Sequence, residues 1–140
     1  MVYLDTSVLA AYYCPETMSA KAEKAILRAG PSAISHLVEV EFHSAAARKI
    51  REGMLSQADA TSIITRFRLH IEQGYYNRLP IQAEHYEVAR DWVGRFVMPL
   101  RTLDALHLAV CFASGASLLT ADVVLAKAGR YFRVNTELIK

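Results

Sequence analysis

The sequence predicts an α/β domain built on one small, mostly parallel sheet of four or five short strands flanked by helices, and three observations predict it. Brief apolar, strand-forming runs alternate with longer segments of helical periodicity along the whole chain, the pattern of strands joined by helical crossovers. The helical segments outweigh the strand-like ones, which keeps the sheet small. The chain has 140 residues, 53% hydrophobic and 21% charged, which suits one domain with its own core and is too apolar for a disordered chain. Right-handed crossovers in such a sheet bring the C-terminal ends of the strands to one edge, where open α/β sheets bind their ligands.

Val2-Tyr3-Leu4 opens the chain as a buried strand running into Asp5. Thr6 or Ser7 is expected to cap a short helix over Val8–Tyr13, which Pro15 stops. Glu16–Ala29 reads as a helix closed by Gly30-Pro31, and Ser32-Ala33-Ile34 as the second strand. Ser35 is the expected N-cap of a long helix from His36 to about Glu52, with Leu37, Val40, Phe42, Ala45 and Ala46 as its apolar stripe. Arg48, Lys49 and Arg51 suit the negative end of that helix, and Gly53 stops it. The next helix, Ser56–Gln73, begins with Ser56 and Asp59 in a capping-box arrangement and repeats Ile63, Ile64, Phe67 and Ile71 at helical spacing. Tyr75–Ile81 reads as a short strand interrupted by Pro80, and Ala83–Val97 as a helix broken by Pro99. Thr102 is expected to cap Leu103–Ser114, a helix so apolar that it must be largely buried. Ser117–Thr120 is a strand, Asp122–Ala128 a short helix, and Tyr131-Phe132-Arg133-Val134 the expected last strand.

Composition narrows the function classes. No apolar run approaches the roughly 18–20 residues of a membrane span, and the N-terminal stretch lacks the basic and apolar regions of a signal peptide. Cys14 and Cys111 are far apart, without metal-type spacing, and read as reduced thiols of a cytoplasmic protein. A net charge of +2 is too small to announce a nucleic-acid partner by itself. Eleven of the 16 basic residues are Arg, however, and Arg48, Lys49, Arg51 and Arg66, Arg68 form clusters that read equally well as solvated helix faces or as a phosphate-binding surface.

The acids are more telling. Of only five Asp, Asp5 and Asp122 leave strand tips and Asp104 sits in the first turn of the most apolar helix, where a carboxylate is costly without compensation. Glu41 lies on the long helix after the second strand, between Val40 and Phe42. Singly, each has an ordinary reading: helix caps for Asp5 and Asp122, a dipole-stabilised acid for Asp104, a surface residue for Glu41. Jointly, four carboxylates brought to one sheet edge raise each other's pKa unless a cation neutralises them. An all-oxygen set favours Mg²⁺ or Mn²⁺ over Zn²⁺.

Four segments in order resemble the PIN-domain ribonucleases, specifically the VapC-type toxins of toxin–antitoxin pairs. They are Val2-Tyr3-Leu4-Asp5-Thr6-Ser7-Val8-Leu9, Ser35-His36-Leu37-Val38-Glu39-Val40-Glu41-Phe42, Leu100-Arg101-Thr102-Leu103-Asp104-Ala105-Leu106-His107-Leu108-Ala109 and Leu118-Leu119-Thr120-Ala121-Asp122-Val123-Val124-Leu125. The resemblance implies a PIN-like three-layer α/β/α domain over residues 1–140 and an endoribonuclease dependent on Mg²⁺, with Mn²⁺ able to substitute. Asp5, Glu41, Asp104 and Asp122 would form its acidic site, with Asp5 and Asp104 as principal ligands of one or two ions and Glu41 and Asp122 completing the set or orienting water. Glu39, two residues from Glu41, cannot face the same side of the helix. Thr6 or Thr120 would add a hydroxyl. His107 reads as an orienter of a carboxylate or phosphate, or, as preferred here, a core or partner-facing histidine. Tyr75, Tyr76 and Arg78 read as RNA contacts or as an interface or core edge, and stay outside the site. The resemblance further implies an RNA substrate, a small antitoxin partner and a homodimer. Two competing readings are a non-catalytic PIN-like RNA- or partner-binding module and, remotely, a haloacid-dehalogenase-type phosphatase, whose usual second acid is replaced here by Ser7.

Overall fold

A computed structural model describes all residues, Met1–Lys140. Five parallel strands make one sheet: β1 (Val2–Leu4), β2 (Ser32–Ser35), β3 (Tyr76–Leu79), β4 (Ser117–Thr120) and β5 (Thr136–Leu138), in the order β3-β2-β1-β4-β5. Seven helices flank it: α1 (Thr6–Tyr13), α2 (Ser19–Ala29), α3 (His36–Arg51), α4 (Gln57–Glu72), α5 (Ala83–Val93), α6 (Thr102–Ser114) and α7 (Val123–Tyr131). Helices cover both faces of an all-parallel sheet, so its three inner strands are buried: Tyr3, Leu4, Ala33, Ile34, Leu118 and Leu119 all lie in the core. None of the helices is long and apolar enough to cross a membrane.

The order of strands has one feature that matters for the site. Moving outward from β1, the chain builds β2 and β3 on one side and β4 and β5 on the other. The switch point therefore lies between β1 and β4, where crossovers diverge and leave a crevice at the strand tips. Register aligns Leu4 with Leu119, so the residues following both strands emerge side by side.

α6 is the buried helix that its composition predicts, with Ala105 through Cys111 all buried. Gly115 ends it in a left-handed conformation, φ 69°, which glycine adopts without a Cβ penalty. Ser35 and Ser56 cap α3 and α4 as expected, through Val38 N–H and Asp59 N–H. Both cysteines are buried and unbonded.

Several expected boundaries are corrected. α1 is capped by the Asp5 carboxylate rather than by Thr6 or Ser7, because both hydroxyls are drawn to carboxylates. Thr102 is the first residue of α6 and not its cap. α2 starts at Ser19 rather than Glu16, since Ser19 Oγ closes a turn by accepting from Glu16 N–H and donating to the Cys14 carbonyl. α5 stops at Val93, with Gly94 as its C-cap. The largest difference is the last strand: Tyr131 ends α7, Arg133 turns at φ 63°, and β5 begins only at Thr136. Phe132 stacks on Trp92 of α5 at 4.4 Å, so the aromatic run plugs the gap between helices rather than pleating.

The two edge strands each carry an ion pair to a helix. Arg78 of β3 grips Glu39 of α3 through bonds of 2.8–3.0 Å, and Glu137 of β5 pairs with Arg28 of α2. β5 closes against α7 at Gly129, where an added Cβ would clash with Thr136 Oγ1. Gly129→Ala should therefore lower stability by about 1–3 kcal/mol, against the usual gain of Ala in a helix. Thermal or urea unfolding checks this; a stabilised variant would show that the α7–β5 contact is loose.

Candidate functional site

Asp5 leaves β1 at the switch point and is almost fully buried, 4% exposed. Both its oxygens are held. Oδ1 accepts from Val8 N–H at 3.1 Å and from Ser7 Oγ at 2.7 Å, and Oδ2 accepts from Thr120 Oγ1 at 2.7 Å. Ser7 Oγ in turn accepts from Ala121 N–H and Thr120 Oγ1 from Asp122 N–H, so the β4 tip and the start of α1 are stapled around one carboxylate. Burial pushes the Asp5 carboxyl above its ordinary range, against the pull of those hydrogen bonds.

Glu41 reaches the same place from α3. Its Oε1 accepts from Thr6 Oγ1 at 2.8 Å and His107 Nε2 at 2.5 Å. Burial works to raise its pKa, but the hydrogen bonds from His107 and Thr6 work against it, and the net displacement is downward. Asp104, in the first turn of α6, accepts no hydrogen bond; its nearest counter-charge is Arg101, 3.7 Å away on a largely exposed side chain. Burial, then the negative charge of Asp122, push the Asp104 carboxyl upward. Asp122 caps α7 through Oδ1, which accepts from Val124 and Leu125 N–H at 2.8 and 3.1 Å.

All four acids line one cavity of about 220 Å³, together with Thr6, Ser7, Arg48, Arg101 and His107. The helix-cap reading of Asp5 and Asp122 holds, whereas Glu41 is a cleft residue rather than a surface one. Asp5 and Asp122 each cap a helix through Oδ1, and both line the cleft. Two donors occupy Oδ1 of Asp5 but only one occupies Oδ2. Glu41 Oε2 and Asp122 Oδ2 have no protein donor, and neither Asp104 oxygen has one. A set of free carboxylate oxygens with mutual repulsion fits a hard divalent cation by its chemistry. As the side chains stand, no three of the acids converge on one point close enough to enclose an ion.

Other expectations resolve by geometry. Glu39 faces away from the cleft, toward Arg78, as its spacing from Glu41 requires. Thr6 and Thr120 donate to carboxylates. Arg48 lines the cleft, and Arg51 lines the adjoining groove of about 430 Å³. Arg66 instead lies over the rings of Tyr12 and Tyr13. Tyr76 is buried, its hydroxyl pushed up to about 12 by burial, and Tyr75 stacks on His70, so this region is a core edge. His107 is a core residue that also holds Glu41, so it combines the two expected roles. Tyr3, whose hydroxyl reaches His107, gave no signal beyond its place in an apolar strand.

Because Asp104 makes no hydrogen bond, Asp104→Asn removes its charge at little structural cost. A carboxyl whose folded pKa is raised loses native stability as pH climbs through that pKa, and costs nothing below the unfolded value, where both states are protonated. Asp104→Asn should therefore melt higher than the parent chain at neutral pH without metal, the gain vanishing below the ordinary aspartate value of 3.8. Melting curves from pH 3 to 8 check it; a gain that persists under acid would refute electrostatic strain at Asp104.

Comparison with solved structures finds the same fold in several proteins. The chain aligns with VapC20 of Mycobacterium tuberculosis, a sarcin–ricin loop cleaving toxin, at 20% identity and TM-score 0.70, covering 92% of this chain and 95% of that one. A toxin–antitoxin complex from Klebsiella pneumoniae aligns at 20% identity and TM-score 0.65, over 87% of each chain. VapBC2 from Rickettsia felis, bound to a DNA fragment from its promoter, aligns at 16% identity and TM-score 0.67, over 100% of both chains. At these identities the likeness is one of fold. Comparison with curated proteins finds no match. The sequence pattern of the PIN domain family matches residues 2–131, from the first strand to the end of α7, and the chain belongs to that family.

Proposed function

We propose that this PIN domain is a metal-dependent endoribonuclease, hydrolysing RNA phosphodiester bonds as the VapC-type toxin of a toxin–antitoxin pair. The observation that carries the reading is the cleft at the β1/β4 switch point, which four carboxylates, those of Asp5, Glu41, Asp104 and Asp122, line together. Asp5, Glu41, Asp104 and Asp122 would hold Mg²⁺, or Mn²⁺ in its place. When bound there, such an ion supplies Lewis acidity toward water and the scissile phosphate.

The chain's own residues do the rest. Thr120, Ser7 and Val8 fix Asp5, and Thr6 with His107 fixes Glu41, so two acids meet a substrate already oriented. Asp104 and Asp122, less tethered, can adjust to the charge that enters. Arg48 and Arg101 at the cleft, with Arg51 beside it, supply guanidinium groups for neighbouring phosphates of an RNA strand. The same reading takes the protein as a cytoplasmic homodimer inhibited by a small antitoxin. What supports a protein partner is the apolar surface left exposed on α2 and α3, Leu27 and Val40, and the toxin–antitoxin assemblies among its structural neighbours.

Purified protein should cut RNA with Mg²⁺ or Mn²⁺, stop when EDTA is added, and lose at least about 100-fold in rate as Asp5→Asn. Cleavage ends mapped in total RNA after brief expression, beside the Asp5→Asn control, provide the measurement. No metal-stimulated cleavage would leave the non-catalytic reading; an equally active Asp5→Asn would move the chemistry elsewhere. Mn²⁺ should also raise the melting temperature of the parent chain but not that of Asp104→Asn.

A further inference from the structure

Behind the acidic cleft runs a line of buried polar side chains that metal holding alone does not require. Ser35 Oγ lies 2.8 Å from Tyr3 OH, Tyr3 OH 2.6 Å from His107 Nδ1, and His107 Nε2 2.5 Å from Glu41 Oε1. Ser35 and Tyr3 are fully buried and His107 is 2% exposed. The four residues come from the end of β2, from β1, from α6 and from α3, so the line ties together the elements that deliver Asp5, Asp104 and Glu41. His107 stands one turn beyond Asp104 on α6.

Donor direction along this line is settled by its two ends. An ionised Glu41 only accepts, so His107 Nε2 carries the proton and donates. With Nε2–H, a neutral ring leaves Nδ1 as an acceptor, which the Tyr3 hydroxyl fills as donor. Tyr3 oxygen then accepts from Ser35 Oγ–H, and Ser35 oxygen accepts from Val38 N–H as the α3 cap. Every donor finds an acceptor in this arrangement, and no buried side-chain polar atom is left without a partner. The opposite direction would strand the Ser35 proton. The tautomer is assigned from this accounting.

We infer that Ser35, Tyr3 and His107 are positioning residues that set the geometry of Glu41: they lock His107 as the Nε2–H tautomer, occupy Oε1 and so leave Oε2 as the oxygen offered to a divalent cation. The inference rests on the nuclease reading above. Thr6 bonds the same Oε1 from the opposite element, so Oε1 has two donors and Oε2 none. Sequence distance hides the device, since Tyr3 and His107 are 104 positions apart.

Two measurements on the full chain test it, neither requiring RNA. Nitrogen-15 NMR of the histidine rings in metal-free protein should show His107 as the Nε2–H tautomer with a slowly exchanging proton; an Nδ1–H ring overturns the assignment. Mn²⁺ binding followed by electron paramagnetic resonance should weaken about 10- to 100-fold in His107→Phe, with much of the loss recovered in His107→Gln, which keeps an N–H near Nε2. Tyr3→Phe should weaken Mn²⁺ several-fold while remaining folded, and carries the test if His107→Phe does not fold. In a Glu41→Gln background, His107→Phe should cost no further affinity, because it acts through that carboxylate. Mn²⁺ affinity unchanged by Tyr3→Phe and His107→Phe, or fully additive losses with Glu41→Gln, overturns the inference alone. A parent chain that binds no Mn²⁺ removes the metal site and this inference with it.

Discussion

A carboxylate buried between two parallel strand tips has to be met by donors from both of them, and that requirement organises this molecule. Asp5 takes its donors from its own helix start, at Ser7 and Val8, and from Thr120 at the end of β4. The cost of burying the charge is thereby offset locally, though not removed, since the Asp5 carboxyl still sits above its ordinary range. Removing one donor would leave a buried acceptor short, at a cost of about 1–3 kcal/mol. Strand register, helix capping and the position of the acid thus depend on one another.

The acids of the cleft fall into two electrostatic kinds. Asp5 and Asp104 are raised by burial, Asp104 further by Asp122, whereas Glu41 is lowered by the donors that hold it. The difference follows from who touches them. Glu41 is gripped by a histidine and a threonine, while Asp104 has only an exposed arginine at 3.7 Å. A cleft built this way has one acid committed to its charge and another whose charge depends on what enters. Arg48 and Arg101 share the lining but are exposed, so they screen the acids only weakly.

The sheet and the identity of its acids were legible because both are written locally. An apolar triplet ending in Asp5, a Ser-capped helix carrying Glu41, and a lone acid at the head of the apolar α6 each reveal themselves within a few residues. The convergence was legible only through the rule that parallel strands end at one edge. What stayed hidden depends on long-range contact. Tyr3 looks like any strand residue until its hydroxyl meets a histidine on α6. Arg66 looks like a phosphate ligand until it is seen over Tyr12 and Tyr13. The run Tyr131–Val134 has strand composition, but Trp92 offers its aromatic ring a better partner than a pleated neighbour does. Thr6 and Ser7 have the composition of caps, yet the acid before them took that position and turned their hydroxyls to other work.

The two ion pairs at the rims of the sheet carry a consequence for the protein in a crowded cell. β3 and β5 are the outermost strands, and an outermost strand offers unpaired backbone groups to any other extended chain. Arg78 clamped to Glu39 and Glu137 paired with Arg28 put charge on both rims, tied back to α3 and α2. A second sheet approaching either rim would have to bury or break those charges. Individually such exposed pairs add little to folding stability. Their contribution lies in solubility: they discourage edge-to-edge growth of a five-stranded sheet that would otherwise be open at both ends.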